Sequence, residues 1–94
     1  MKDNTVRLNE KDNVLVVIKE IKAGDEIINH NQFVTHAATD IPYGHKIAIC
    51  DINVNDAIIK FGEVIGYASI NIKNGEWVHT HNLGYEEGKV WRLF

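Results

Sequence analysis

The chain of 94 residues contains one cysteine and one proline, and each scarcity excludes something. Cys50 alone can close no disulfide within the chain and supplies no cysteine-based structural zinc site. Its neighbours Ile47, Ala48, Ile49 and Ile52 are apolar, which predicts a buried small hydrophobe. An activated thiol would need a cation or a helix N-terminus beside it. Long hydrophobic runs are also missing. The longest, Val14 to Ile18, falls far short of the ~20 apolar residues that cross a bilayer as a helix. The chain does not open on a charged segment followed by an apolar block and a cleavage site. No basic stripe exists, because the Lys and Arg residues are scattered among thirteen acids for a net charge of −3. The expectation is a cytoplasmic protein with neither a membrane nor a nucleic acid as partner. A dinucleotide fingerprint, a P-loop, a nucleophile elbow and an HExxH motif are all absent, so any catalysis is expected to be acid–base or metal-assisted.

What is present is enough apolar residue for one folded domain spanning 1–94, with a modest core. Its organisation shows in a threefold echo. Ile21-Lys22-Ala23-Gly24-Asp25-Glu26-Ile27, Ile52-Asn53-Val54-Asn55-Asp56-Ala57-Ile58 and Ile72-Lys73-Asn74-Gly75-Glu76-Trp77-Val78 share one pattern. Each runs isoleucine, two intervening residues, Gly or Asn, an acid, a free position, then Ile or Val. Gly and Asn are the residues that take positive φ at least cost, so the echo reads as tight turns. β-branched stretches precede the copies, at Val14–Ile18, Lys46–Ile49 and Ile65–Ala68, and read as strands. Asn29–Asn31, Pro42–Gly44, Phe61–Glu63 and Leu83–Tyr85 punctuate the chain between these units. The predicted fold class is mainly β, a small barrel or clip of short strands and tight turns. One short helical turn fits within Asp56–Lys60. Residues 83–94 carry Tyr85, Trp91, Leu93 and Phe94, which suit either a final strand or a C-terminal arm docking on a partner.

Five histidines supply the candidate chemistry. His79 and His81 form an H-x-H pair which, on a strand, would point to one face and share one metal ion or substrate oxygen. A solvent-facing pair without a ligand fits the same spacing. Gly44-His45-Lys46 follows the proline turn. There a glycine allows close approach, a histidine titrates near neutrality and a lysine meets a carboxylate. An ordinary polar turn reads the same way. His30 and His36 are expected on a loop or an edge strand.

The order of motifs adds more than any one of them. Arg7-Leu8, Asp12-Asn13-Val14, Ala23-Gly24, Ile41-Pro42-Tyr43-Gly44-His45-Lys46, Ile59-Lys60-Phe61-Gly62 with Ile65-Gly66-Tyr67-Ala68, and Val78-His79-Thr80-His81-Asn82 run collinearly from Arg7 to Asn82. Together they resemble the SAF domain of the altronate/galactarate dehydratase family and the small subunit of sulfolactate sulfo-lyase. The resemblance implies a SAF-type β-clip fold and the small subunit of a two-component lyase. Its partners would be a large catalytic subunit and a sugar-acid or sulfolactate-like substrate, and a homo-oligomer is compatible with it. The reaction implied is removal of water from a sugar acid to give a 2-keto-3-deoxy acid, or of sulfite from sulfolactate. It also implies a divalent metal, whether iron, manganese or zinc. Carried onto this chain, His45, Lys46, His79 and His81 become the catalytic candidates. Gly44, His45, Lys46 and Asn82 become the substrate-binding ones, with His79 and His81 the metal pair. Relatives often carry a histidine directly after the position matching Leu8, where Asn9 stands here. The alternative is a noncatalytic module that binds an acid sugar or a partner.

Overall fold

A computed structural model describes residues 2–85, which form nine short strands and no helix. In chain order these are β1 (Thr5–Val6), β2 (Val14–Val17), β3 (Glu26–Asn29), β4 (Gln32–His36), β5 (Lys46–Ala48), β6 (Ala57–Lys60), β7 (Glu63–Ala68), β8 (Trp77–Val78) and β9 (Leu83–Gly84). All pairings are antiparallel, in a four-stranded sheet ordered β1-β2-β5-β8, a β3-β4 hairpin and a β6-β7-β9 sheet. The mainly β expectation therefore stands. The helical turn expected within Asp56–Lys60 does not form, because Ala57 to Lys60 pair with Tyr67 to Glu63 as β6. Residues 83 and 84 pair with Ala68 and Tyr67. The rest of the expected arm, from residue 86 onward, lies outside the described residues.

The core explains the echo seen in the sequence. One buried cluster holds Leu15, Val17, Ile21, Ile27, Ala37, Ile41 and Ile47, and the other holds Val14, Ala48, Ile52, Ile58, Ala68, Ile72 and Val78. Six residues of the first have a counterpart 31 positions on in the second: Val17 and Ala48, Ile21 and Ile52, Ile27 and Ile58, Ala37 and Ala68, Ile41 and Ile72, Ile47 and Val78. Hydrogen bonds repeat at the same offset. Gly24 N–H donates to Ala37 and Asn55 N–H to Ala68, while Ile21 bridges Ile41 as Ile52 bridges Ile72. Two copies of one strand-turn-hairpin unit thus build the domain, each burying its own apolar face, and the central sheet joins them.

Both hairpins close through two-residue tips at positive φ, His30 and Asn31 in one, Phe61 and Gly62 in the other. That backbone matches the twist of the flanking strands, but it strains residues other than glycine. Two aspartates nine residues apart hold the tips. Asp3 accepts the N–H groups of His30 and Asn31 at 3.0 and 2.9 Å, and Asp12 accepts that of Gly62 at 2.7 Å. The amide bonds to Asp3 favour its ionised form and lower its pKa, with His30 and the chain's amino terminus adding to the effect. The next residue along, Asn4 or Asn13, ties its side chain to Glu26 and Ile28 in one copy and to Ala57 and Ile59 in the other.

Candidate functional site

Four turns, not three, follow the backbone geometry of the echo, and one of them departs from the rest. In three of them the acid turns back to accept the N–H of the turn's first residue: Asp25 from Lys22 at 2.8 Å, Asp56 from Asn53 at 3.1 Å, Glu76 from Lys73 at 2.9 Å. The fourth, Pro42-Tyr43-Gly44-His45, has the same backbone closure, His45 N–H to the Pro42 carbonyl, and the same positive φ at its third residue. Its first residue is proline, which has no N–H to satisfy. The acid position is therefore free of structural duty, and a histidine occupies it.

That histidine meets its partners at the edge of the central sheet. Lys46 pairs with Val78 and Ile47 with Trp77, so β8 lies alongside β5 and brings Trp77 to His45. The Trp77 indole N–H donates to Nδ1 of His45 at 3.1 Å. His79 stacks nearly parallel to the indole, 7° off with centroids 5.5 Å apart, and its ring centroid is 4.7 Å from that of His45. His81 lies tilted against Trp77 at 5.4 Å. Partial burial is the main cause that lowers the His79 pKa, followed by the charges of His45, Lys46 and His81. Burial also lowers that of Lys46, with Lys60 as the second cause. The result is a cluster of donors and cations with no carboxylate paired to Lys46 among the described residues.

The structure brings His45, His79 and His81 together on Trp77, which the sequence reading passed over as an ordinary residue of a turn-strand unit. Lys60 was also passed over. For His45, already a candidate from the sequence, the structure adds its place in the turn: a histidine where three copies carry an acid. Gly44 holds the turn at φ 83°. Asn82 is 2% exposed, and its amide is spent on the loop, accepting from His79 N–H and donating to the Trp77 carbonyl, both at 2.9 Å. It shapes the loop that carries the histidines. The strand expected through His79 and His81 ends at Val78, so strand alternation does not govern the pair. No three side chains of His, Cys, Asp or Glu gather as a metal set among the described residues.

Cys50 corrects another expectation. It is exposed, not buried, although desolvation, with Asp51 next, raises its pKa away from thiolate chemistry. His30 occupies a hairpin tip and His36 ends β4 against Phe33. Asn9 packs against Gly62, where a Cβ would come within 2.9 Å of its amide nitrogen. Beside the rings a hollow of about 310 Å³ is walled by Thr39, Ile70, Glu76, Trp77, His81 and Asn82. It lies where the two repeats meet, and its mixed polar and apolar lining suits a small polar ligand.

The fold and this cluster define a class, a small antiparallel β domain that presents donors and cations at the edge of its central sheet. The family follows from comparison. The model of the altronate/galactarate dehydratase SAF domain matches residues 3–86, and the chain belongs to that family. It is 38% identical over 77 residues to altronate dehydratase of Bacillus subtilis, covering 82% of this chain and 15% of that protein. Over 75 residues it is 37% identical to galactarate dehydratase (L-threo-forming) of Escherichia coli, covering 78% and 14%. The chain therefore spans a small fraction of these dehydratases. It is also 32% identical over 74 residues to (2R)-sulfolactate sulfo-lyase subunit alpha of Chromohalobacter salexigens, covering 73% of this chain and 79% of that subunit. No helix among the described residues is long and apolar enough to cross a membrane.

Proposed function

We propose that this chain is the small subunit of a two-component lyase acting on a hydroxylated or sulfonated organic acid, and that it supplies the groups that hold the acid rather than the whole catalytic apparatus. The observation that carries this reading is the gathering of His45, His79 and His81 around Trp77, with Lys46 directly after His45 at the start of β5 and without a carboxylate ion pair among the described residues. Elimination beside a carboxylate removes the α proton and expels a β group, so negative charge builds on the carboxylate oxygens. Fixed donors and cations at that place stabilise it. His45 and Lys46 are suited to the carboxylate, Gly44 shapes their turn, and Asn82 positions the His79–His81 loop. The hollow by Ile70 and Thr39 takes the remainder of the acid. A larger subunit would contribute the α-proton base and most ligands of any iron, manganese or zinc ion.

The likeness to (2R)-sulfolactate sulfo-lyase subunit alpha, a protein named as one subunit of an enzyme, supports a separate partner. The test is to purify the large subunit with and without this chain and to assay altronate, galactarate and sulfolactate. Turnover that depends on this chain is expected, and full turnover without it removes the proposal. A noncatalytic acid-binding module is the second reading, favoured by Asn9 at the place where relatives often carry histidine. In that case His45→Ala and Lys46→Met in the assembled protein would change KM and leave kcat alone.

A further inference from the structure

We propose that Trp77 is a positioning residue that fixes the tautomer of His45, so that the imidazole offers an Nε2–H donor to an oxygen of the bound acid and does not act as the proton-abstracting base. The use made of that donor rests on the function proposed above, but the tautomer does not. An indole nitrogen can only donate. The atom 3.1 Å from it, His45 Nδ1, must therefore accept and carry no proton, which leaves the proton of the neutral ring on Nε2. The basic lone pair of His45 is thereby committed inside the protein, and what remains to face a ligand is an N–H.

Nothing in the scaffold requires a tryptophan there. In the corresponding place of the other three turn units stand Glu26, Lys46 and Ala57, each one residue after the turn. Each serves as a strand residue without a ring. The indole is held for its task on two sides. Its strand pairing to Ile47 fixes the backbone, and the Asn82 amide grips its carbonyl at 2.9 Å. His79 stacked along its plane limits rotation of the ring. Pro42 completes the arrangement by relieving position 45 of the turn duty that an acid performs elsewhere.

The tautomer is read directly on the purified chain by long-range ¹H–¹⁵N correlation of the imidazoles. Near pH 8 the wild type is expected to show His45 with an unprotonated Nδ1 and a protonated Nε2, and Trp77→Phe a mixture of the two forms. A protonated Nδ1 in the wild type, or an unchanged pattern in a Trp77→Phe chain with a native spectrum elsewhere, overturns the proposal. The role is read in the assembled lyase with two substitutions of His45. Gln places an N–H near the position of Nε2 but cannot take a proton, whereas Ala offers neither. If His45 is a donor, His45→Ala lowers kcat/KM about ten- to a hundredfold and His45→Gln recovers most of it. Equal loss in both variants, with the wild-type tautomer confirmed, rejects the donor role. An assembly that is inactive with the wild-type chain rejects the lyase reading and leaves the tautomer measurement standing.

Discussion

The two repeats share a scaffold and differ in what they carry on it. The first, centred on Ile21, Ile27 and Ile41, and the second, centred on Ile52, Ile58 and Ile72, bury matching residues and close matching turns and hairpins. Among the described residues, histidine, tryptophan and lysine gather where the end of the first meets the end of the second. The lesson is that chemistry sits where a structural demand has been lifted. Three turns need an acid to satisfy an N–H, and the fourth, with proline, does not.

The sharpest way to break the symmetry is at two glycines of equal backbone and unequal surroundings. Gly75 has φ 94°, and a Cβ there would lie 2.5 Å from the His36 carbonyl oxygen, whereas Gly24 has φ 91° with nothing within 4 Å. Gly75→Ala therefore adds a clash with immobile backbone to the left-handed strain and is expected to cost roughly 3–5 kcal/mol. Gly24→Ala carries the strain alone, about 1–2 kcal/mol. Urea denaturation of the two variants checks the difference, and equal losses would mean that the repeats are not packed against each other as described.

Next in size is Asn82→Ala. Removing a buried amide that makes two hydrogen bonds leaves the His79 N–H and the Trp77 carbonyl unsatisfied, at a cost of about 2–3 kcal/mol. The loop carrying the histidines should loosen with it, as seen by faster amide exchange at His79 and Leu83, both bonded across this loop.

A smaller effect would convert the odd turn into the ordinary one. Pro42→Ala creates an N–H with no acceptor, and adding His45→Asp supplies one, as in the turn at Asp25. The double variant should be about 0.5–1 kcal/mol more stable than the two single changes predict by addition. His45→Asp beside the native proline should bring no such gain. Additivity would show that the lifted demand is not what frees position 45.

The smallest concerns pH. His79 has a folded pKa below its ordinary value of 6.5, chiefly through desolvation and then the charges of His45, Lys46 and His81. Below that value the unfolded chain binds a proton that the folded chain resists, so folding is opposed as pH falls. The stability His79 permits is complete above about pH 6.5 and is lost as pH falls through 6.5 toward the lower folded pKa. Thermal midpoints of His79→Gln should show a shallower decline than the wild type between pH 7 and 5. A parallel decline would locate the acid sensitivity elsewhere.

Much of this was legible in the residues, for reasons that differ from place to place. Gly24, Asn55 and Gly75 announced their turns because positive φ is a local demand that few side chains meet, and β-branched runs announced the strands before those turns. Pro42-Tyr43-Gly44-His45 escaped the echo because the proline had removed the need for the acid that marked the other copies. Asp56–Lys60 suits a helical turn in isolation because a five-residue stretch does not show whether its hydrogen bonds run along the chain or across to a neighbour. Cys50 has apolar neighbours in sequence, yet it sits just beyond β5, where the chain turns outward to Asp51.

The sequence by itself determined the β character, the positions of the turns and, through collinear motifs, the family. These depend on backbone preferences and spacings acting over a few residues. Only the tertiary structure decided that His45 would meet Trp77 across 32 positions of sequence, that Asn82 would be buried in its own loop, and that the histidine pair would leave the strand. Such meetings depend on which strands lie side by side and in what register, and a hydrophobic pattern repeated twice along the chain allows more than one such pairing until the two cores pack together.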